Sequence, residues 1–363
     1  MDEEVKYFNA FNLFPEIGAV RFKKLLAYFG SLKDAWQADG KSLKEAKLEE
    51  NLVQEILIRR KNIDPDQELA KLTQEGISII TIRDKSYPKI LKEIYDPPAL
   101  LYIKGSFQLE DEFSLAVVGT RRPSSYGIQV TLYLVRDLAK TGLTIVSGLA
   151  RGIDTLAHKT CLEAGGRTIA VLGSGIDKAS IYPSINNKLA EQISQGGAVI
   201  SEYPIGTFAL PYHFPARNRI ISGLSLGTLL VEAPEKSGAL LTANHAVNQN
   251  RQVFAIPGPI YAKNSLGPNN LIKMGAKLVS QTQDILEELN LTSLIEKTET
   301  KKIIPDSQEE ALILEVLSDQ PIYIDGIVSK TKLDTATVNS TLTLMEMKGK
   351  VRNLGGMNYV IAR

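Results

Sequence analysis

Six short apolar runs constrain this chain more than any other feature. They are Leu115–Val118, Thr144–Ser147, Thr168–Leu172, Ala198–Ser201, Thr228–Val231 and Val253–Ile256, and a turn and a helix-length segment separate each from the next. Most are nearly continuous rather than alternating, as strands covered on both faces must be. Strand and helix alternating on this scale predict a doubly wound α/β domain with a mainly parallel sheet. In such a sheet, ligands bind outside the carboxyl ends of the strands. The residues at those ends are therefore the ones to read for function.

Five strand ends carry unusual residues. The first is AVVGTRRPSSYG, where Gly119 permits a tight turn, Arg121 and Arg122 follow at once, and Pro123 suits a first helical turn. The second is VSGLARGID, with Ser147, Gly148 and Arg151 at a helix entrance, and the third is LGSGID, from Leu172 to Asp177. The fourth is HFPARNRIISGL, where Phe214 precedes Arg217, Asn218 and Arg219 in a first helical turn. Cations there oppose the helix dipole unless an anion or a carboxylate compensates. The fifth is VEAPEKSGALLT, with Lys236 and Ser237 at another helix start. Arg121, Arg151, Arg217, Arg219 and Lys236 along one sheet edge would make an extended anion-binding surface. Tyr203, Tyr212 and Phe214 would add flat faces for base stacking. Each motif alone also fits an ordinary structural role; the shared location is what argues for function.

Signals for catalysis are poorer. No turn has the full G-x-x-x-x-G-K-[ST] or G-x-G-x-x-G pattern, and Gly173-Ser174-Gly175 stops short of the latter. His158, His213 and His245 pair with neither each other nor Cys161 at metal-ligand spacing, so no cofactor or metal is expected. Asp154 and Glu232 are strand-end carboxylates, read as catalytic or as holding neighbouring arginines, with the second reading favoured. A dinucleotide turn expects an acidic ribose-binding residue about 20 positions on. The one carboxylate there, Asp137, falls within a helical segment.

The flanks differ. Residues 1–80 read as a helical domain, with Phe11, Leu13, Phe14, Ile17, Val20, Phe22, Leu25, Leu26 and Phe29 at helical spacing. Glu16-Ile17-Gly18-Ala19 breaks that pattern as a helix-hairpin-helix junction would, or as any helical connection would. Residues 86–105, with Pro88, Pro97 and Pro98, read as a wrapped connector. The α/β domain is assigned to 81–292 and a polar linker to 293–306. Residues 307–363 show three helices, the first capped by Ser307, closed by a hairpin around Gly355-Gly356, which is the pattern of a winged helix. The 363 residues carry a net charge of +1, so any polymer site must be a local patch. A single cysteine fits a reducing cytosol, and no apolar run approaches the roughly 18 residues of a membrane span.

The stretches VGTRRPSSYG, VSGLARGID, VLGSGID, FPARNRIISGLS, VEAPEKSGALLTA, VFAIPG and NLIKMGA, in that order, resemble the DNA-processing protein A family (DprA, also called Smf). The upstream SYPKIL and DPPALLY segments match too, so the resemblance covers residues 10–280, with a weaker likeness to the family's winged helix beyond. It implies an extended Rossmann fold in a cytoplasmic bacterial protein. The expected activity is non-enzymatic: binding single-stranded DNA in natural transformation and loading the RecA recombinase onto it, as a homodimer. The family's DNA surface maps here onto Gly119 with Arg121, and onto Phe214, Arg217, Asn218 and Arg219. The segment FALPY before His213 carries no lysine, so one basic contact of the family has no counterpart. The alternative, a Rossmann-type nucleotide phosphoribohydrolase, lacks its PGGxGT loop: Val231–Thr242 stands there, with Gly238 but no paired glycines. The expected dimer surface is Val253–Leu289, apolar through Phe254, Ile256, Ile260, Tyr261, Leu266, Leu271, Ile272, Met274, Leu278, Ile285 and Leu286. Core packing alone would account for about half of these.

Overall fold

The computed structural model describes residues 3–291, 305–317, 321–353 and 355–361. The chain divides into two compact units, one reaching to Leu291 and one beginning at Thr292.

In the first unit, β1 (Ser78–Thr81) and β2 (Leu100–Gly105) precede the parallel strands β3 (Ser114–Val118), β4 (Thr144–Ser147), β5 (Thr168–Leu172), β6 (Ala198–Ser201), β7 (Gly227–Leu230), β8 (Gln252–Ala255) and β9 (Lys277–Leu278). The sheet order is β1-β2-β6-β5-β4-β3-β7-β8-β9. From β3 the chain winds one way through β4, β5 and β6, and then the other way through β7, β8 and β9. The winding reverses between β3 and β7, where a crevice opens at the carboxyl ends. Every residue of β3 to β7 is buried, which explains the unbroken apolar runs. The predicted bounds of β4, β5 and β6 match; β7 and β8 start one residue earlier than predicted.

The connector expected at residues 86–105 instead contributes β2, which pairs antiparallel with both β1 and β6. Its proline-rich flank hid a strand that is apolar on both faces.

The helices of this unit are α1 (Val5–Asn12), α2 (Ala19–Phe29), α3 (Leu32–Gln37), α4 (Gly40–Glu45), α5 (Glu50–Arg59), α6 (Pro65–Gln74), α7 (Lys89–Lys92), α8 (Ser125–Lys140), α9 (Ile153–Glu163), α10 (Asn187–Gly196), α11 (His213–Gly223), α12 (Gly238–Asn248), α13 (Leu266–Lys273) and α14 (Thr282–Glu288). The helical N-terminus shares a core with the sheet: Phe8, Phe11, Phe14 and Phe22 pack in one cluster with Leu100, Tyr102 and Leu172. Burying each phenylalanine contributes about 1.5–3 kcal/mol. Tyr102 donates to Asn9 Oδ1 at 2.7 Å, and Asn12 donates to the carbonyl of Glu202 at 2.9 Å, fixing α1 against the sheet.

The second unit has helices at Gln308–Val316, Ile324–Thr331 and Thr335–Met347. Strands at Ile322–Tyr323, Val351–Asn353 and Asn358–Ile361 form a three-stranded sheet. Ile313, Ile327, Val338, Leu342 and Met345 build its core. Ser307 caps the first helix by accepting from the N–H of Glu310 at 3.2 Å, and Gly355 and Gly356 take positive φ at the hairpin turn. This is a winged helix. Most of the expected linker, residues 293–304, lies outside the described residues.

Candidate nucleic-acid interface

A cleft of about 500 Å³ lies at the reversal point between β3 and β7. Gly119, Arg121 and Arg122 line it from the turn after β3, and Lys236 and Ser237 from the turn after β7. Phe214, Arg217 and Asn218 enter from α11, and Lys263 and Asn264 from the loop after β8. At Gly119 a Cβ would stand 2.6 Å from Ile153 Cγ1, so only glycine lets the turn pack this tightly against α9.

The anion that compensates the start of α8 is internal. Glu232, buried at the end of β7, accepts from the Ser124 N–H at 2.9 Å and from the Ser124 hydroxyl at 2.5 Å. Asn264 donates to the same carboxylate at 3.4 Å. A carboxylate of the chain therefore fills the position that a cofactor phosphate takes in a dinucleotide-binding fold. Glu232 holds a helix start, not an arginine. Arg121 and Arg122 are left exposed outside the turn.

The arginines of α11 are committed internally. Arg217 is 4% exposed; its guanidinium donates to the carbonyl of Gly148 at 2.7 Å and to that of Val171. It ties the ends of β4 and β5 together and also faces the buried carboxylate of Asp154. A Cβ at Gly148 would stand 2.6 Å from Arg217 Nη2 and 2.8 Å from Asp154 Oδ2, so that glycine is required by the lock itself. Asp154 accepts from the N–H groups of Gly148 and Ala150 at 3.1 and 3.4 Å. Burial pushes its carboxyl up to about 6, against the pull of Arg217 and those two N–H groups. Burial also lowers Arg217, although a guanidinium remains charged at neutral pH. Asn218 accepts from Arg217 Nε at 3.3 Å and donates to the carbonyl of Gly238 at 3.2 Å.

Arg219 is not brought to this cleft. It pairs with Glu202 at 2.5 Å and Asp96 at 3.2 Å in the wall of a neighbouring one. Ser147 is buried, with its hydroxyl on the carbonyl of Val117 at 2.6 Å, and Arg151 is exposed away from the lining. The histidines take internal roles. His158 Nδ1 meets Thr168 Oγ1 at 2.7 Å, and burial lowers its pKa to about 3. His213 stacks on Tyr203 at 4.1 Å.

Four cations remain. Among the described residues, Arg121, Arg122, Lys236 and Lys263 form no ion pair. Arg121 Cζ stands 5.4 Å over the Phe214 ring, and Tyr182 lies 5.8 Å from the same ring. Lys263 and Asn264 were missed from the sequence; the rule that ligands bind at carboxyl strand ends would have pointed to the loop after β8. The described residues hold no cluster of three or more potential metal ligands, and no helix among them is long and apolar enough to cross a membrane.

Residues 78–290, more than half of the chain, match the family model of the DNA recombination-mediator protein A, and residues 297–357 match that of the DprA winged helix domain. Protein Smf of Synechocystis sp. is 35% identical over 395 residues, covering 99% of each chain. The X-ray structure of DNA processing protein A from Streptococcus pneumoniae superposes with a TM-score of 0.66 at 38% identity, over 78% of this chain and 97% of that one. The Helicobacter pylori protein, whose structure was reported for its mode of binding single-stranded DNA, gives 0.53 at 33% identity, over 59% of this chain and 95% of that one.

Proposed function

The chain belongs to the DNA recombination-mediator protein A family, and from that premise we propose that its cleft binds single-stranded DNA without chemistry. One observation carries this reading. Four unpaired cations and a phenylalanine surround a helix start whose anion position Glu232 already fills. A small phosphate ligand would lose its main anchor there. A polymer needs only the outward-facing charges for its phosphates and a flat ring for an unpaired base. The proposed setting is the bacterial cytoplasm during natural transformation, with the bound strand handed to the RecA recombinase.

The protein acts as a homodimer in this reading. Leu266, Met274, Leu278, Ile260 and Tyr261 expose apolar surface at the β9 end of the sheet. Phe254, Ile256, Leu271, Ile285 and Leu286 of the same segment are buried, so charged substitutions at Leu271 or Ile285 would test folding rather than pairing. Met274→Glu and Leu278→Glu are the proper tests. Two clefts on one strand would raise affinity through effective concentration. The deciding experiment is a titration with single-stranded and duplex oligonucleotides at two salt concentrations, beside a nucleotide-hydrolysis assay. Equal affinity for both forms, or turnover of a nucleotide, would overturn the proposal.

A further inference from the structure

Residues 203–212 form a ridge between two clefts. His213 lines one and Phe214, the next residue, lines the other. The second cleft, about 670 Å³, lies between the α1–α2 hairpin and the loop that follows β6. The ridge presents Phe208 at 72% exposure and Tyr212 at 68%. Tyr212 lines the second cleft, and Phe208 follows Thr207, which lines it too; exposed rings beside a cleft are costly to leave in water unless something flat covers them.

The charge of the second cleft says what that is. Its cations are spoken for: Arg219 by Glu202 and Asp96, Arg21 by Glu49. The carboxylate of Glu16 also lines it and forms no ion pair among the described residues. This wall would repel phosphate. It offers aromatic faces instead: Tyr203 stacked on His213 at 4.1 Å, and Tyr212 edge-on to His213 at 4.7 Å.

We propose that a bound single strand leaves the basic cleft over Phe208 and Tyr212, and that its bases, not its phosphates, occupy the second cleft. This rests on the single-strand reading above. The two clefts then divide the labour, phosphates held by cations in the first and bases by rings in the second. The backbone passes along the outer rim.

The test separates bases from charge. An oligothymidylate of about eight nucleotides, enough for the basic cleft, is extended at its 5′ or its 3′ end. The extension is either further thymidylates or abasic nucleotides of equal charge. The thymidylate extension at one of the two ends should tighten binding about tenfold, within the range that stacking supplies, and the abasic extension should add little. The Phe208→Ala, Tyr212→Ala double variant should lose that gain while binding the short oligomer like the parent chain. Both residues are exposed, so the variant should fold. An abasic extension as effective as the thymidylate one, or a gain that survives in the double variant, overturns the proposal. No gain from either extension also overturns it and leaves the ridge to a protein partner. Failure of every oligomer to bind would sink the single-strand reading along with it.

Discussion

The cleft and the winged helix both gather basic residues, and they use them in opposite ways. In the winged helix, Lys348 pairs with Asp306 at 2.8 Å and Glu310 at 2.9 Å, and Lys350 pairs with the same two carboxylates at 2.8 and 2.6 Å. Glu310 is buried, so these lysines serve a carboxylate of their own fold. In the cleft the buried carboxylates are satisfied by backbone N–H groups, a serine and an asparagine, and the exposed cations are left over. Counting Lys and Arg would rank both regions as candidate DNA surfaces. What separates them is whether the acidic partner comes from the chain.

The same distinction divides the cleft's own arginines, and the largest expected effect tests it there. Arg217→Ala leaves the buried carbonyls of Gly148 and Val171 without their donor and takes a cation from the surroundings of the buried Asp154, at a cost of about 1–3 kcal/mol for each group left unpaired. Arg217→Lys should restore little, because a lysine cannot reach two carbonyls and the Asn218 amide oxygen from one planar group. Urea denaturation measures the loss. If Arg217→Ala unfolds at the parent midpoint while its DNA affinity falls steeply, Arg217 is a contact residue and the division is wrong.

The next effect belongs to the free cations. Arg121→Ala and Lys236→Ala should each leave the unfolding midpoint in place and weaken binding several-fold to about tenfold. The slope of log K against log salt should fall by about 0.7 for each lost phosphate contact to a single strand. Lys263→Ala should do the same. A normal slope in the Arg121 variant would mean that its guanidinium serves only to cover Phe214.

These assignments mark where the sequence was legible. Continuous apolar runs made the parallel strands plain, because burial on both faces leaves no polar position to confuse the period. β2 was hidden by the prolines that precede it, Pro97 and Pro98. The arginine pair on α11 was visible as a pattern but not as an environment. No acid stands between Glu202 and Glu232, and nothing in FPARNR says that Arg217 will meet the carbonyls of Gly148 and Val171, or that Arg219 will find Glu202 and Asp96. Those partners arrive from other strand ends only once the sheet has formed. Glu232 was singled out as a charge holder, but its partner, Ser124, lies 108 residues away.

A smaller effect is expected from pH. Asp154, at about 6, sits above the free carboxyl value of about 3.9, so the folded state holds its proton more tightly than the unfolded one. Its contribution to stability is therefore greatest below about pH 4 and falls as pH rises from 4 to 6. A bound phosphate nearby raises the group further, so binding should take up a proton. Affinity for oligothymidylate, whose bases do not titrate in this range, should rise a few-fold from pH 7.5 to 5.5. Asp154→Asn should abolish the rise. A rise that persists in that variant would assign it to another group.

The smallest effect is expected from the winged helix, and it bears on the comparison most directly. The helix Thr335–Met347 contains no lysine or arginine, and a groove-reading helix presents such side chains to phosphates and base edges. The Lys348→Gln, Lys350→Gln double variant should thus change single-strand affinity by no more than about twofold, or ~0.4 kcal/mol. It should instead lower the unfolding midpoint of its own unit, because Glu310 loses both of its lysine partners. Removing residues 300–363 should leave affinity as nearly intact. A tenfold loss in the truncation with normal affinity in the lysine variant would mean that the unit touches DNA through neutral groups. A tenfold loss in the lysine variant itself would mean that Asp306 and Glu310 give up their lysines to phosphate, and that an internal ion pair is no guide to which cations are free.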